Sequence, residues 1–185
     1  ARPFVFVDIG ANQGLYSLLA ARNPQCAAAI AFEPVAATFA LLSENIALNG
    51  LGATVRPVRA AVSLHSGIAR IATDRAHSGT ASLRSAEPAE GEEISILGIA
   101  GVDTLLEGPQ PLIVKIDVEG HEETVIDALL ASAHRGRIAA IFYEVDERWI
   151  DAAAIVARLR GAGFTRFARF GIGRHYDMLA EMPKI

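Results

Sequence analysis

The sequence predicts an α/β fold on a mostly parallel sheet of seven main strands, and three observations carry that expectation. Short unbroken apolar runs alternate with segments of helical periodicity. Four of the runs end in an acid, Asp8, Glu33, Asp117 and Glu144. The last two runs are joined through Gly171 and Gly173, as the arms of an antiparallel hairpin would be. Strand alternating with helix means right-handed βαβ units, and strands buried on both faces read as continuous apolar runs.

Residues 4–9 are the first such run and lead into a glycine loop. Residues 15–22 read as a helix closed by Asn23-Pro24, and residues 28–32 as the second strand, ending in Glu33-Pro34. Phe39, Leu42 and Ile46 recur at helical spacing until Asn49-Gly50 supplies a C-cap. Residues 55–62 are the third strand. The pattern then weakens from 63 to 101, which reads as a small β-rich insertion. Within it 68–71 and 94–97 are short strands, and the polar stretch 74–93 is a mobile loop. Regularity returns with the fourth strand at 112–116, which carries Lys115 and ends in Asp117. A helix at 124–133, a strand at 138–143 ending in Glu144, a helix at 152–159 and a hairpin of 164–170 with 176–180 complete the chain.

A length of 185 residues predicts a single domain over 1–185, with a core large enough to be stable alone. Half the residues are hydrophobic, yet no run approaches the roughly 20 apolar residues of a membrane span. No membrane partner and a cytoplasmic location are expected. The net charge of −4 and pI of 5.7 argue against nucleic acid as a partner, since such domains usually carry a basic face. Cys26 is the single cysteine, which excludes an internal disulfide and a cysteine-rich zinc site. The chain opens with Ala1 and enters a strand almost at once, so a further segment is expected upstream.

In open α/β sheets ligands bind beyond the carboxyl ends of the strands, where the strand order reverses. The first and fourth strands flank that crevice, which places Asp8 and Asp117 across it from one another. Gly10-Ala-Asn-Gln-Gly14 provides the turn into a helix, and glycine lets a ligand approach the backbone. Glu33 stands where a ribose-binding acid should stand, and its two oxygens can accept from both hydroxyls. A mouth lined with acids would repel the pyrophosphate of NAD. It complements S-adenosylmethionine, which carries a sulfonium and an ammonium. Asn12, at the second glycine position of a dinucleotide loop, weighs in the same direction.

VDIGANQG at 7–14, AFEP at 31–34, the spaced Asn45 and Asn49, and KIDVEGHE at 115–122 resemble the FkbM family of methyltransferases over nearly the whole chain. The resemblance implies a Rossmann-like class I methyltransferase fold, in which a terminal antiparallel hairpin is the usual finish. It implies S-adenosylmethionine as cofactor, contacted by Asp8, Gly10, Asn12, Gly14 and Glu33. It also implies O-methylation of a small hydroxylated acceptor, a sugar or secondary metabolite. Tyr16 either contacts the methionine end of the cofactor or packs beside the loop.

Methyl transfer from a sulfonium is an in-line displacement, so alignment is the main task and a base removes the hydroxyl proton. Asp117, Glu119 and His121 are the candidates, with Asp117 also at the cofactor. No metal is expected, since no firm ligand set is visible; an acid cluster holding a divalent cation is the second reading. Glu122 and Glu123 are first-turn acids that the helix dipole alone would favour. Lys115 interrupts a buried strand and is expected to pair with neighbouring acids. Two rivals remain: a non-catalytic module that binds S-adenosylmethionine, and a nucleotide-dependent oxidoreductase on a similar sheet.

Overall fold

The computed structural model describes residues 2–71 and 91–183. The first half runs β1 (Phe4–Ile9), α1 (Leu15–Ala21), β2 (Cys26–Phe32), α2 (Ala36–Leu48), β3 (Val55–Val58), β4 (Ala61–Ser63) and β5 (Gly67–Ile71). The second runs β6 (Glu92–Gly98), α3 (Ile99–Asp103), β7 (Leu112–Ile116), α4 (Glu122–Ala131), β8 (Ile138–Asp146), α5 (Ala152–Gly161), β9 (Arg166–Phe170) and β10 (His175–Glu181).

Seven strands form the main sheet in the order β3-β2-β1-β7-β8-β10-β9. Every pairing from β3 to β8 is parallel, and β10 is antiparallel to both β8 and β9. This is the predicted sheet, terminal hairpin included. Alternate residues of the strands feed two cores. Val7, Ile9, Val114, Ile116, Ile141 and Tyr143 pack with α4 and α5 through Val125, Ile126, Leu129, Ile155 and Leu159. Phe6, Ala29 and Ala31 face the other way, against Leu42 and Ile46 of α2. The central strands are buried on both sides, which is why they carry no polar alternation.

The insertion is β-rich, as expected: β4, β6 and β5 make a separate three-stranded sheet between β3 and β7. Four details differ from expectation. The third strand breaks at Arg59-Ala60, where the Ala60 N–H turns back to the Val58 carbonyl (3.0 Å), so 61–63 joins the small sheet. A five-residue helix, α3, lies within the segment read as irregular. Glu144 sits inside β8 rather than beyond it, paired with Asp177 of β10. Of the loop expected at 74–93, residues up to 90 lie outside those described, and Glu92 and Glu93 belong to β6. No helix among the described residues is long and apolar enough to cross a membrane.

The central strands bring two loops into backbone contact. Pairing of β1 with β7 continues past the end of β7, with the Asp117 N–H donating to the carbonyl of Ile9, the last residue of β1, at 3.0 Å. Gly10 has φ +79°, and a Cβ there would lie 1.8 Å from the Asp117 carbonyl oxygen. Gly50 has a similar φ of +67° but faces open space. Gly10→Ala should therefore cost about 3 kcal/mol or more, from overpacking added to left-handed strain, and Gly50→Ala only about 1–2 kcal/mol. Urea unfolding midpoints check this, and equal midpoints for the two variants would contradict the contact.

Candidate functional site

The site lies where the strand order reverses, at the carboxyl ends of β1 and β7. The loop after β1 is shaped by three left-handed residues, Gly10 (φ 79°), Asn12 (φ 49°) and Gly14 (φ 92°). Gly14 is required for packing: a Cβ would lie 2.6 Å from the Leu42 Cδ1. Asn45 of α2 donates through Nδ2 to the Gln13 carbonyl (2.9 Å), which ties the loop to the helix behind it.

Asn12 presents its N–H to Glu33 Oε2 at 3.0 Å, while the Val35 N–H reaches Glu33 Oε1 at 2.9 Å. Each oxygen of Glu33 thus accepts one backbone bond and keeps capacity for another. Burial pushes the Glu33 carboxyl above its ordinary value, against the pull of those two N–H groups and of Lys115. The Asn12 Oδ1 is buried and has no hydrogen-bonding partner among the described residues, an acceptor that a bound donor would satisfy.

Asp8 departs from expectation. It is fully buried, its Oδ2 accepts from Ser17 of α1 at 2.6 Å, and it does not line the cleft. Lys115 stands between it and Asp117, at 3.4 Å from Asp8 Oδ1 and 3.3 Å from Asp117 Oδ2. The two acids therefore do not face each other across an open crevice. The Lys115–Asp8 contact is an ion pair without a hydrogen bond, since Asp8 Oδ1 has no hydrogen-bonding partner. Tyr16 covers this group, with the Lys115 Nζ 5.2 Å from its ring centroid and Phe142 packed 6.1 Å away. It lies outside the cleft lining, as do Asp8 and Gly14.

Beyond β7 the chain makes a strained loop in which Glu119 (φ 52°) and Gly120 (φ 95°) are both left-handed. Glu122 holds it: its Oε1 accepts from the N–H groups of Val118 and Gly120, each at 3.1 Å. Glu122 does stand in the first turn of α4, as read from the sequence, but it is fully buried, and its Oε2 has no hydrogen-bonding partner among the described residues. The Glu119 carboxyl is pushed up to about 7, first by burial and then by Glu144, Asp117 and Glu122, with His175 opposing. His121 closes the loop, its Nε2 3.2 Å from the Ser63 hydroxyl, and burial lowers its imidazole below the ordinary value.

These loops border a concave cleft that is open to solvent. Gly10, Asn12, Glu33, Asp117, Glu119 and His121 line it, so the structure brings together six of the residues named from sequence. Its apolar wall comes from Val35, Ala60, Val62, Ile71 and Ile94. Sequence reading missed these, because an apolar residue in a small sheet carries no mark of facing a ligand. Asp117, Glu119 and Glu144 each offer an oxygen within 4.8 Å of the others, a spacing that a cation could bridge. Two of the three already have a basic neighbour, the Lys115 ammonium at Asp117 and the His175 imidazole at Glu144 (2.6 Å).

A model of the FkbM methyltransferase domain matches residues 8–166. The chain belongs to the FkbM methyltransferase family. No curated protein matches the sequence significantly. The architecture of this FkbM domain is shared with solved methyltransferases. One is Sp1610 of Streptococcus pneumoniae, described as a candidate tRNA (m1A22) methyltransferase, with TM-score 0.57, 13% identity, and 100% of this chain on 66% of that one. Precorrin-6y C5,15-methyltransferase of Geobacter metallireducens GS-15 matches with TM-score 0.55, 15% identity and coverages of 98% and 81%. The N-terminal domain of human METTL16 in complex with SAH matches with TM-score 0.56, 15% identity and coverages of 98% and 62%. The FkbM chain thus spans just under two thirds of the Streptococcus and human proteins, and at these identities the likeness is one of fold.

One expectation is overturned here. A small-molecule acceptor with nucleic acid excluded does not stand, because a protein described as a candidate tRNA methyltransferase shares the fold of this chain along its full length. The exclusion rested on net charge, which sums over the entire surface, whereas a partner is recognised by a local patch.

Glu122 yields a test of the loop. Burial raises its carboxyl above the unfolded value, so the stability it contributes is full below the ordinary carboxylate range and is lost as pH rises through the raised value. Glu122→Gln keeps an oxygen for Val118 and Gly120 but removes the titration. Its stability relative to the parent should improve as pH rises above the ordinary carboxylate range. A pH-independent difference in unfolding midpoints would mean that the fold does not raise the Glu122 carboxyl.

Proposed function

We propose that this FkbM domain binds S-adenosylmethionine in the cleft and transfers its methyl group to a hydroxyl oxygen. The observation that carries the reading is one cleft with two chemically different ends. At one end stand Glu33, the unpartnered Asn12 Oδ1 and the apolar wall; at the other stand Asp117 and Glu119.

Glu33, held by two backbone N–H groups, is placed to accept from vicinal ribose hydroxyls, and Asn12 Oδ1 is an acceptor in want of a donor. The slot formed by Val35, Ala60, Val62, Ile71 and Ile94 suits an adenine ring. Asp117 supplies negative charge toward a cationic group. S-adenosylmethionine, when bound, supplies an electrophilic methyl carbon. Glu119 then takes the hydroxyl proton: a carboxyl near 7 is half ionised at neutral pH and basic enough to accept it. His121 supports the wall through Ser63 and is the less favoured base.

Labelled S-adenosylmethionine incubated with the protein and cell extract, followed by separation into RNA, protein and low-mass fractions, tests the reading. Label on an oxygen of any fraction supports it; label only on nitrogen or carbon overturns it. Melting temperature should rise with S-adenosylmethionine and not with NAD.

Glu33→Ala should weaken S-adenosylmethionine binding by about 1.5–3 kcal/mol, the range for hydrogen bonds to a charged group. Because burial raises the Glu33 carboxyl, parental affinity should begin to fall at a higher pH than a surface glutamate would dictate. Calorimetry across pH 4–8 decides it, and an unchanged Glu33→Ala affinity removes Glu33 from the site.

Glu119→Gln should retain cofactor affinity and lose about 10²–10⁴-fold in turnover. The parent's rate should rise through about pH 7, and that limb should vanish in the variant. Parental turnover by Glu119→Gln would pass the base role to another group.

A further inference from the structure

Lys115 is the residue of β7 that the apolar pattern explains least. It is 3% exposed in the centre of the sheet, where a valine or isoleucine would pack without desolvating a charge. Its Nζ donates to the Gly10 carbonyl at 2.7 Å and pairs with Asp8 and Asp117 at 3.4 and 3.3 Å. One ammonium thus touches both loops of the cleft, under the ring of Tyr16.

The three acidic and cationic groups are unequal. Asp8 is sealed and bonded to Ser17, so Asp8 with Lys115 is a neutral buried pair. The Asp117 side chain is 41% exposed and lines the cleft. We propose that Lys115 is a positioning residue for the amino-acid end of the cofactor. It locks the Gly10 carbonyl and the Asp117 carboxylate into one arrangement, so that Asp117, and not Asp8, meets the ammonium and sulfonium. The inference rests on the S-adenosylmethionine reading above. None of the hydrogen bonds that hold Glu33 and Asn12 involves Lys115, which acts on Glu33 through its charge alone, so its loss falls mainly on the amino-acid half of the ligand.

The test is calorimetry with S-adenosylmethionine, S-adenosylhomocysteine and 5′-methylthioadenosine, which keeps the adenosine and lacks the amino-acid end. Lys115→Met should weaken the first two about tenfold or more, the loss of one charged hydrogen-bonding group, and leave methylthioadenosine within about twofold. A purely structural lysine would change all three together. Because Lys115→Met strands the Asp8 charge, the double variant Asp8→Asn/Lys115→Met removes the buried pair as a unit and should show the same selective loss. Asp117→Asn, a change at the cleft surface, should show it too. Equal losses for the three ligands, or parental affinities in Asp117→Asn, overturn the proposal. Failure of the parent to bind S-adenosylmethionine would instead overturn the functional reading on which it rests.

Discussion

The backbone of Gly10 lying directly on that of Asp117 is the constraint from which the rest of the cleft follows. Parallel pairing of β1 with β7 runs one residue beyond β7, and no side chain fits between Gly10 and Asp117. From that common point the two loops diverge. One turns through Asn12 toward Glu33; the other turns through Glu119 and Gly120 toward β4. The cleft is the space left by this divergence, roofed by the small sheet of the insertion. The glycine therefore serves contact between two parts of the protein first, and any ligand meets a loop already fixed.

Electrostatics at this edge is arranged by partners rather than by exposure. Asp8 is tolerated in full burial because Ser17 and Lys115 face it, and Glu144 is matched by His175. Glu119 is treated differently: Glu144, Asp117 and Glu122 all raise its carboxyl, and its backbone is held in a conformation that non-glycine residues disfavour. Strain and a raised carboxyl in one residue concentrate at positions where chemistry is done. Glu122 underneath makes that loop tenable by satisfying two of its N–H groups.

Charge also shows the limits of whole-chain arithmetic. The acidic composition was enough to favour a cationic cofactor over a pyrophosphate, because the relevant acids end parallel strands at one edge. It was not enough to exclude RNA, because the same sum says nothing about where the arginines of the rest of the surface are gathered. Family and fold make this a methyltransferase domain, and the acceptor is a matter of local surface.

The sequence by itself determined which segments are the main strands and helices, the terminal hairpin, the β-rich insertion and the positions of Glu33, Asp117 and Glu119 after strands of one parallel sheet. These follow from periodicity of apolar residues and from acids at strand ends, which are local along the chain. Tertiary structure alone decided which carboxylate faces the cleft. Asp8 and Asp117 are equivalent as strand-end acids, and only the packing of α1, with Ser17 and Tyr16, seals one and leaves the other open. It alone decided that Glu122 is buried, that the third strand breaks at Arg59-Ala60, and that Val62, Ile71 and Ile94 form an apolar wall. Each of these depends on what lies opposite a residue across the fold, and spacing along the chain does not encode that.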